Sequence, residues 1–208
     1  MSSKFFSLNK EKQERILNAV LKEFAQKGYD NASTNEMVKA AGISKGLLFH
    51  YFNNKKELYI FLYNHFVRVL TEDFFNEMDF SERDIFERLK NLMISKSRMM
   101  IKYPEVFDFM ISASMETAEE VKNELASTNT DLMHASYARL FDNIDLGKFH
   151  DGTDIPRTIN IIMWTLEGFS NQELKKTKQL NKGPHDFDEA FKEAEVYIEM
   201  LKKSFYKQ

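Results

Sequence analysis

The sequence predicts an all-α protein with an N-terminal three-helix head and a larger C-terminal helical bundle. Apolar residues recur at helical spacing along most of the 208 residues, and only seven glycines and three prolines interrupt them. No stretch alternates apolar and polar residues convincingly enough to predict a strand. The charge balance changes near residue 56, so we predict a head at 1–56 and a bundle at 57–208.

Charge is divided unevenly along the chain. Residues 1–56 contain ten Lys/Arg and five Asp/Glu, a net charge of +5, whereas the remainder carries −8. A basic segment joined to an acidic body is typical of a protein that meets a polyanion. The head is therefore the first place to look for a binding site.

Several classes of protein are disfavoured by composition. The chain has no cysteine, no apolar leader behind the opening MSSKFFSLNKEK, and no apolar stretch long enough to span a bilayer. We therefore expect a cytoplasmic protein without disulfides or membrane segments. The sequence also contains no nucleophile and base set, phosphate loop or HExxH pair, so we expect no catalytic residues, and its scattered histidines predict no metal site.

The head begins with a helix predicted at 9–27, which buries Ile16, Val20 and Phe24 and ends at Gly28. Ser33 and Glu36 form a capping box, in which each side chain accepts a hydrogen bond from the other residue's backbone amide. This box predicts that a second, short helix begins there.

A turn at Gly42 separates this helix from the third. Ser44 can cap the third helix, which is expected to bury Leu48 and Phe52. Asn54 and Glu57 mark the start of a long fourth helix, predicted at 54–75. Beyond it, helices are predicted at 81–102, 104–113, 118–144, 154–178 and 186–206, with a loose linker at 147–153.

Two short helices joined by a glycine turn make a helix-turn-helix, whose second helix can enter a DNA major groove about 12 Å wide. If Leu48 and Phe52 are buried, the residues expected on or beside the outward face are Lys45, Leu47, Phe49 and His50. Gly46 lacks a side chain where the helix would approach the duplex closely.

Residues 10–58 resemble the DNA-binding head of the tetracycline-repressor (TetR) family. The matching residues are Gly28-Tyr29, Ser33-Thr34, Ala41-Gly42-Ile43-Ser44-Lys45-Gly46, Leu48, Tyr51-Phe52, Lys55 and Leu58. The resemblance implies a homodimer that binds a palindromic double-stranded DNA operator. It implies a DNA-binding set of Ser33, Thr34, Ser44, Lys45, Gly46, Leu47, Phe49, His50, Tyr51 and Lys55.

Within this set, the resemblance implies that Thr34, Tyr51 and Lys55 contact phosphates, while Lys45, Leu47 and His50 face base edges. Phe49 occupies a position where the family usually has tyrosine, so a phosphate hydrogen bond is expected to be missing. Leu47 suggests apolar recognition of a thymine methyl group.

The C-terminal bundle is expected to bind a ligand and to dimerise. Methionine and aromatic side chains suit an irregular pocket for a small apolar or amphipathic effector, and no cofactor is expected. The predicted pocket residues are Phe66, Met93, Phe107, Met110, Met133, Tyr137, Phe141 and Trp164. The same residues at helical spacing could equally form an ordinary core.

The last two helices present apolar faces that could pair with those of a second copy as a four-helix interface. The predicted interface residues are Ile159, Met163, Leu166, Phe191, Ile198 and Leu201. The helix at 54–75 is expected to couple the pocket to the head, because its start belongs to the head and its end to the bundle.

The favoured function is thus an effector-released repressor, with an activator left open. The alternative is a helical small-molecule or lipid-binding protein without specific DNA binding. The lysines that flank the helix-turn-helix disfavour this alternative.

Overall fold

The computed structural model describes residues 3–179 and 187–207, apart from the side chains of residues 3, 129–135, 177–179 and 188. This part of the chain contains ten α-helices and one 3-10 turn. The helices are α1 Ser3–Phe6, α2 Lys10–Asn31, α3 Thr34–Ala41, α4 Lys45–Phe52, α5 Lys55–Glu77, α6 Ile85–Lys102, α7 Pro104–Ser114, α8 Lys122–Leu140, α9 Ile155–Gln179 and α10 Asp188–Phe205. The predicted all-α fold class is confirmed.

The chain divides into two compact units. Unit 1 comprises residues 1–73 and 103–133, and unit 2 comprises residues 74–102 and 134–208. The sequence-based boundary at residue 56 falls inside unit 1 and concerns the DNA-binding head, so it stays a prediction about function.

Unit 1 is built around α2, which packs against α3 on one side and α7 on another. Ile16, Val20 and Phe24 of α2 are fully buried in its core, as their spacing predicted. Phe109 of α7 and Tyr59 of α5 are also fully buried, and their rings meet edge to face at 5.4 Å. The three head helices therefore share one core with α7.

The four-residue helix α1 was not predicted. Its Phe5 is fully buried and contacts the rings of Tyr51, Phe52 and Phe61 at 5.1 to 6.0 Å between centroids. A segment this short shows no periodicity, so the apolar pair Phe5 and Phe6 could not be recognised as part of a helix from the sequence.

Unit 2 is formed by α6, α9 and α10, with α10 packed against both of the others. Arg88 of α6 is buried and donates hydrogen bonds to the carbonyl oxygens of Phe80, Glu82, Leu140 and Asp142. These four acceptors engage four of the five guanidinium N–H donors, which explains how a charged side chain is tolerated in the core.

The predicted loose linker at 147–153 is instead held in place. Phe149 lies in the core of unit 2 and packs edge to face on Tyr206 at 4.9 Å. The His150 amide donates to the Phe205 carbonyl and the Lys207 amide donates to the Lys148 carbonyl, so that the two segments form an isolated antiparallel bridge. A single buried aromatic ring leaves no periodic signal, which is why the prediction was wrong here.

Candidate nucleic-acid interface

The turn between α3 and α4 is set by two local features. Gly42 has φ +62°, a left-handed conformation that glycine adopts without steric cost, and its amide donates to the carbonyls at the end of α3. Ser44 then accepts a hydrogen bond of 3.2 Å from the Leu47 amide and begins α4. Both features agree with the sequence-based prediction.

The start of α3 differs from the predicted capping box. Ser33 Oγ accepts from the Glu36 amide at 3.4 Å, but the Ser33 amide donates to Oε1 of Glu23 at 2.8 Å rather than to Glu36. Glu23 lies on α2, ten residues earlier, and also pairs with Lys27 at 2.9 Å. A side chain from the neighbouring helix thus replaces the local partner and ties α2 to α3.

This contact affects the ionisation of Glu23. Burial opposes the charged form, but the hydrogen bonds from the Ser33 amide and from Lys27 outweigh it and lower the pKa of the carboxyl. The start of α3 is therefore held by an ionised carboxylate at neutral pH.

The side chains of α4 separate into two faces. Leu48 and Phe52 are buried, as predicted, while Lys45, Gly46 and His50 are exposed. Of the predicted DNA-binding residues on this helix other than Tyr51, Lys45, Gly46 and His50 are exposed, and Leu47 and Phe49 are half-buried. An added Cβ at Gly46 would meet nothing within 4 Å, so no contact inside the chain requires glycine there.

Tyr51 is buried, with 6% of its surface exposed. Its ring lies 6.0 Å from that of Phe5, so α1 covers one side of it. The phosphate contact predicted for Tyr51 stays a prediction, and the structure adds a packing role to it.

Lys55 is half-buried at the start of α5. Its ammonium donates to the Asp30 carbonyl at 3.0 Å and lies 5.0 Å from the centre of the Tyr29 ring. Lys55 thus links α5 to the end of α2, and its predicted phosphate contact also stays untested. Ser33 and Thr34 are half-buried at the start of α3.

The end of α2 is joined to the segment between α7 and α8. Gly28 has φ +67° inside α2, which interrupts the helix. The Tyr29 amide that follows donates to Oε2 of Glu116 at 2.8 Å, and the Tyr29 hydroxyl donates to Oε2 of Glu120 at 2.5 Å. We refer to Tyr29, Glu116 and Glu120 as the Tyr29 clamp.

A further ion pair supports the same junction. Lys56 at the start of α5 pairs with Glu124 of α8 at 2.6 Å. The helices that flank the helix-turn-helix are therefore connected to α8 and to the segment that precedes it, by contacts that sequence spacing could not indicate.

The predicted pocket residues do not gather in one unit. Phe66, Phe107 and Met110 lie in unit 1, with Phe66 buried and the other two half-buried. Those in unit 2 are Met93, Tyr137, Phe141 and Trp164, and the side chain of Met133 lies outside the described residues.

Two of the residues in unit 2 have distinctive surroundings. The Tyr137 hydroxyl donates to Glu167 at 3.2 Å, and burial together with this carboxylate raises the pKa of the phenol to about 12. Trp164 is 66% exposed, so it lies on the surface of unit 2.

The predicted interface residues lie mostly inward. Ile198 is fully buried and belongs to the core of unit 2, which corrects its assignment to an interface. Ile159, Leu166 and Leu201 are partly buried and pack against the same core, while Met163 and Phe191 are half-buried. The exposed large apolar residues of α9 and α10 are instead Ile161, Trp164, Val196 and Met200.

Other kinds of site find no support in the described part of the chain. Among those residues, no group of three or more His, Asp or Glu side chains could hold a metal ion. None of the described helices is long and apolar enough to cross a membrane.

A capped helix-turn-helix with an exposed basic face defines the class of DNA-binding regulators. Residues 16–60 match the family model of bacterial regulatory proteins, tetR family. This match confirms that residues 10–58 resemble the DNA-binding head of that family, and the curated relatives confirm the prediction of a transcriptional regulator rather than an enzyme.

Curated relatives extend the similarity beyond the head. The HTH-type transcriptional repressor AcnR of Corynebacterium efficiens is 27% identical over 149 residues, which cover 69% of this chain and 71% of the relative. The negative regulator IcaR of the biofilm operon icaADBC in Staphylococcus epidermidis is 24% identical over 159 residues, covering 74% and 80% of the two chains.

Solved structures agree in fold. A transcriptional regulator from Rhodococcus sp. Rha1 superposes with a TM-score of 0.67 over 92% of this chain and 96% of that one, at 19% identity. A TetR family regulator from Chloroflexus aurantiacus superposes with a TM-score of 0.61 over 99% and 98% of the chains, at 20% identity. These regulators thus have the same fold as this chain, including the helical bundle that follows the head.

Proposed function

We propose that the protein is a homodimeric transcriptional repressor that binds a palindromic operator and is released by a small apolar or amphipathic effector. The main support for this proposal is the outward face of α4, where Lys45, Gly46 and His50 are exposed. Ser44 caps the start of this helix, and Gly42 caps the end of α3 before it. The names of the curated repressors AcnR and IcaR support the sign of regulation.

In this proposal α4 enters the major groove. Lys45, Leu47 and His50 face base edges, and the missing side chain of Gly46 lets the helix backbone approach the duplex. Thr34, Tyr51 and Lys55 lie toward the phosphates, which fix the register without reading sequence.

Dimerisation is needed because one short helix reads only a few base pairs, whereas two heads about 34 Å apart read two half-sites. We propose that the face formed by Ile161, Trp164, Val196 and Met200, termed the dimer face, packs against its symmetry mate. These four residues are 44 to 66% exposed, and a large exposed apolar face is typical of an interface.

The effector signal would reach the head through α5 and the Tyr29 clamp. Helix α5 begins in the head, and Glu116 and Glu120 of the clamp follow directly after α7. An effector that favours another arrangement of these segments lowers operator affinity by the same free energy with which DNA lowers effector affinity.

Selection of random duplex DNA by the purified protein tests this function. We expect enrichment of a palindrome with half-sites one helical turn apart. Binding that is salt-sensitive but enriches no sequence would contradict the proposal and favour a helical carrier of small molecules instead.

A further inference from the structure

Unit 2 contains an open groove of about 300 Å³ between α6 and α10. Both apolar and charged side chains line it. The residues that matter here are Met93, Ile94, Arg98, Phe191, Lys192 and Glu195. Apart from Met93 and Phe191, none of these residues was singled out by the sequence patterns.

The two helices run in opposite directions along the groove. Lys90 on α6 pairs with Glu199 on α10 at 2.5 Å, and one turn earlier Glu87 pairs with Lys202 at 2.7 Å. Advancing along α6 thus means moving back along α10. This register places Arg98 at the same end of the groove as Phe191 and Lys192.

The two ends of the groove differ in charge. At one end, Lys90 is neutralised by Glu199 and Glu87. At the other end, Arg98 and Lys192 are exposed, and neither forms an ion pair with any residue whose side chain is described. Two exposed cations that have no ion pair with a described side chain make this end attractive to an anion.

Between the ends, the groove offers apolar contacts. Ile94 is 50% exposed, and Met93 and Phe191 are half-buried beside it. Lys90 and Arg98 are eight residues apart on α6, a distance of about 12 Å. Glu195 lies on the rim level with Ile94 and would repel an anion placed in the middle of the groove.

We propose that this groove binds an aliphatic carboxylate, with its carboxylate beside Arg98 and Lys192 and its chain along Ile94 and Met93. The charge at one end, the apolar length and the repulsive Glu195 together fix the orientation of such a ligand. The inference rests on the proposed function in one respect, because it names the chemical class of the effector.

Calorimetric titration of the full-length protein with decanoate, in the absence of DNA, tests the groove. We expect saturable binding of one decanoate per chain, at least tenfold weaker binding of 1-decanol, and no measurable binding of acetate or decyltrimethylammonium. Replacing both cations, Arg98→Ala with Lys192→Ala, should weaken decanoate binding at least tenfold. Lys203→Ala, an exposed lysine on the same helix, is the matched control and should bind decanoate normally.

Ile94→Asp provides a second, independent variant, since it places a negative charge against the chain of the ligand. Equal decanoate affinity in the wild type and in either groove variant would overturn the proposal, as would the absence of saturable binding. Because these titrations contain no DNA, their failure is distinct from failure of the repressor function. Decanoate binding without enrichment of any operator would support the groove and contradict only the regulatory role.

Discussion

The hydroxyl of Tyr29 donates a hydrogen bond of 2.5 Å to Glu120, although the two residues are 91 positions apart in the sequence. Tyr29 lies near the end of α2, and Glu120 precedes α8. This contact, the adjacent bond from the Tyr29 amide to Glu116 and the Lys56–Glu124 pair join the DNA-binding helices to the rest of unit 1. The position of the head therefore depends on contacts that lie outside it.

Removing the hydroxyl in Tyr29→Phe should lower the free energy of unfolding by about 1 kcal/mol, because a hydrogen bond to a carboxylate is lost while the ring is kept. Urea unfolding followed by circular dichroism measures the change. The control is Glu119→Gln, whose side chain is 81% exposed and which should change stability by less than about 0.5 kcal/mol. Equal stabilities for wild type and Tyr29→Phe would show that the clamp does not hold the head.

Glu23→Gln should lower stability near neutral pH by about 1 kcal/mol, since the Ser33 amide and Lys27 lose a charged partner. The pKa of Glu23 is lowered in the folded protein, so its contribution is present above the unfolded pKa of about 4.3 and is lost as pH falls through the lower folded value. Unfolding of both proteins between neutral and acid pH measures this. A difference that stays constant at low pH would contradict the assignment, and Glu14→Gln on the exposed side of α2 is the control.

Gly46→Ala separates folding from DNA binding. An added methyl group meets nothing within 4 Å, and alanine is favoured over glycine in a helix by about 1 kcal/mol, so the variant should be as stable as the wild type or more stable. If α4 approaches the duplex closely, the same methyl group should reduce operator affinity. Unchanged affinity for the selected operator would place α4 further from DNA than proposed.

His50→Ala should relax the preference at one base pair by about 1 to 3 kcal/mol, because His50 is exposed on the outward face of α4. Binding to a set of single-base operator variants measures this preference. His150→Ala removes another exposed imidazole, from unit 2, and should leave the preference intact. A uniform loss across all operator variants would assign His50 to the phosphates instead.

Trp164→Asp should convert the protein from dimer to monomer without loss of helix content, since it places a charge on the dimer face. Sedimentation equilibrium and circular dichroism report the two quantities. Ile101→Asp is the matched control, because Ile101 is 73% exposed on α6 and lies outside this face. A dimer that survives Trp164→Asp would exclude the proposed face.

The sequence predicted nine of the ten described helices because each has an apolar stripe, a capping residue or both. It also predicted the burial of Leu48 and Phe52 on α4, which lie four positions apart on one face, but not the burial of Tyr51. These features depend on local geometry, so the spacing of residues in the sequence is enough to predict them.

The failures share a different cause. The Ser33 amide bonds to Glu23 of the preceding helix rather than to the local Glu36, and Phe149 is buried by Tyr206 from the far end of the chain. Helices α9 and α10 carry apolar residues on more than one side, so periodicity alone could not separate Ile198 in the core from Trp164 on the surface. Tertiary contacts determine these hydrogen-bond partners and which of these residues are buried.

We propose that two copies of this chain read one palindrome through α4. Sedimentation of the selected operator with increasing protein, repeated at several salt concentrations, tests this stoichiometry. We expect two chains per palindrome, far weaker binding to an isolated half-site, and a steep loss of affinity with salt. One chain bound per duplex, with equal affinity for the half-site and the palindrome, would contradict it.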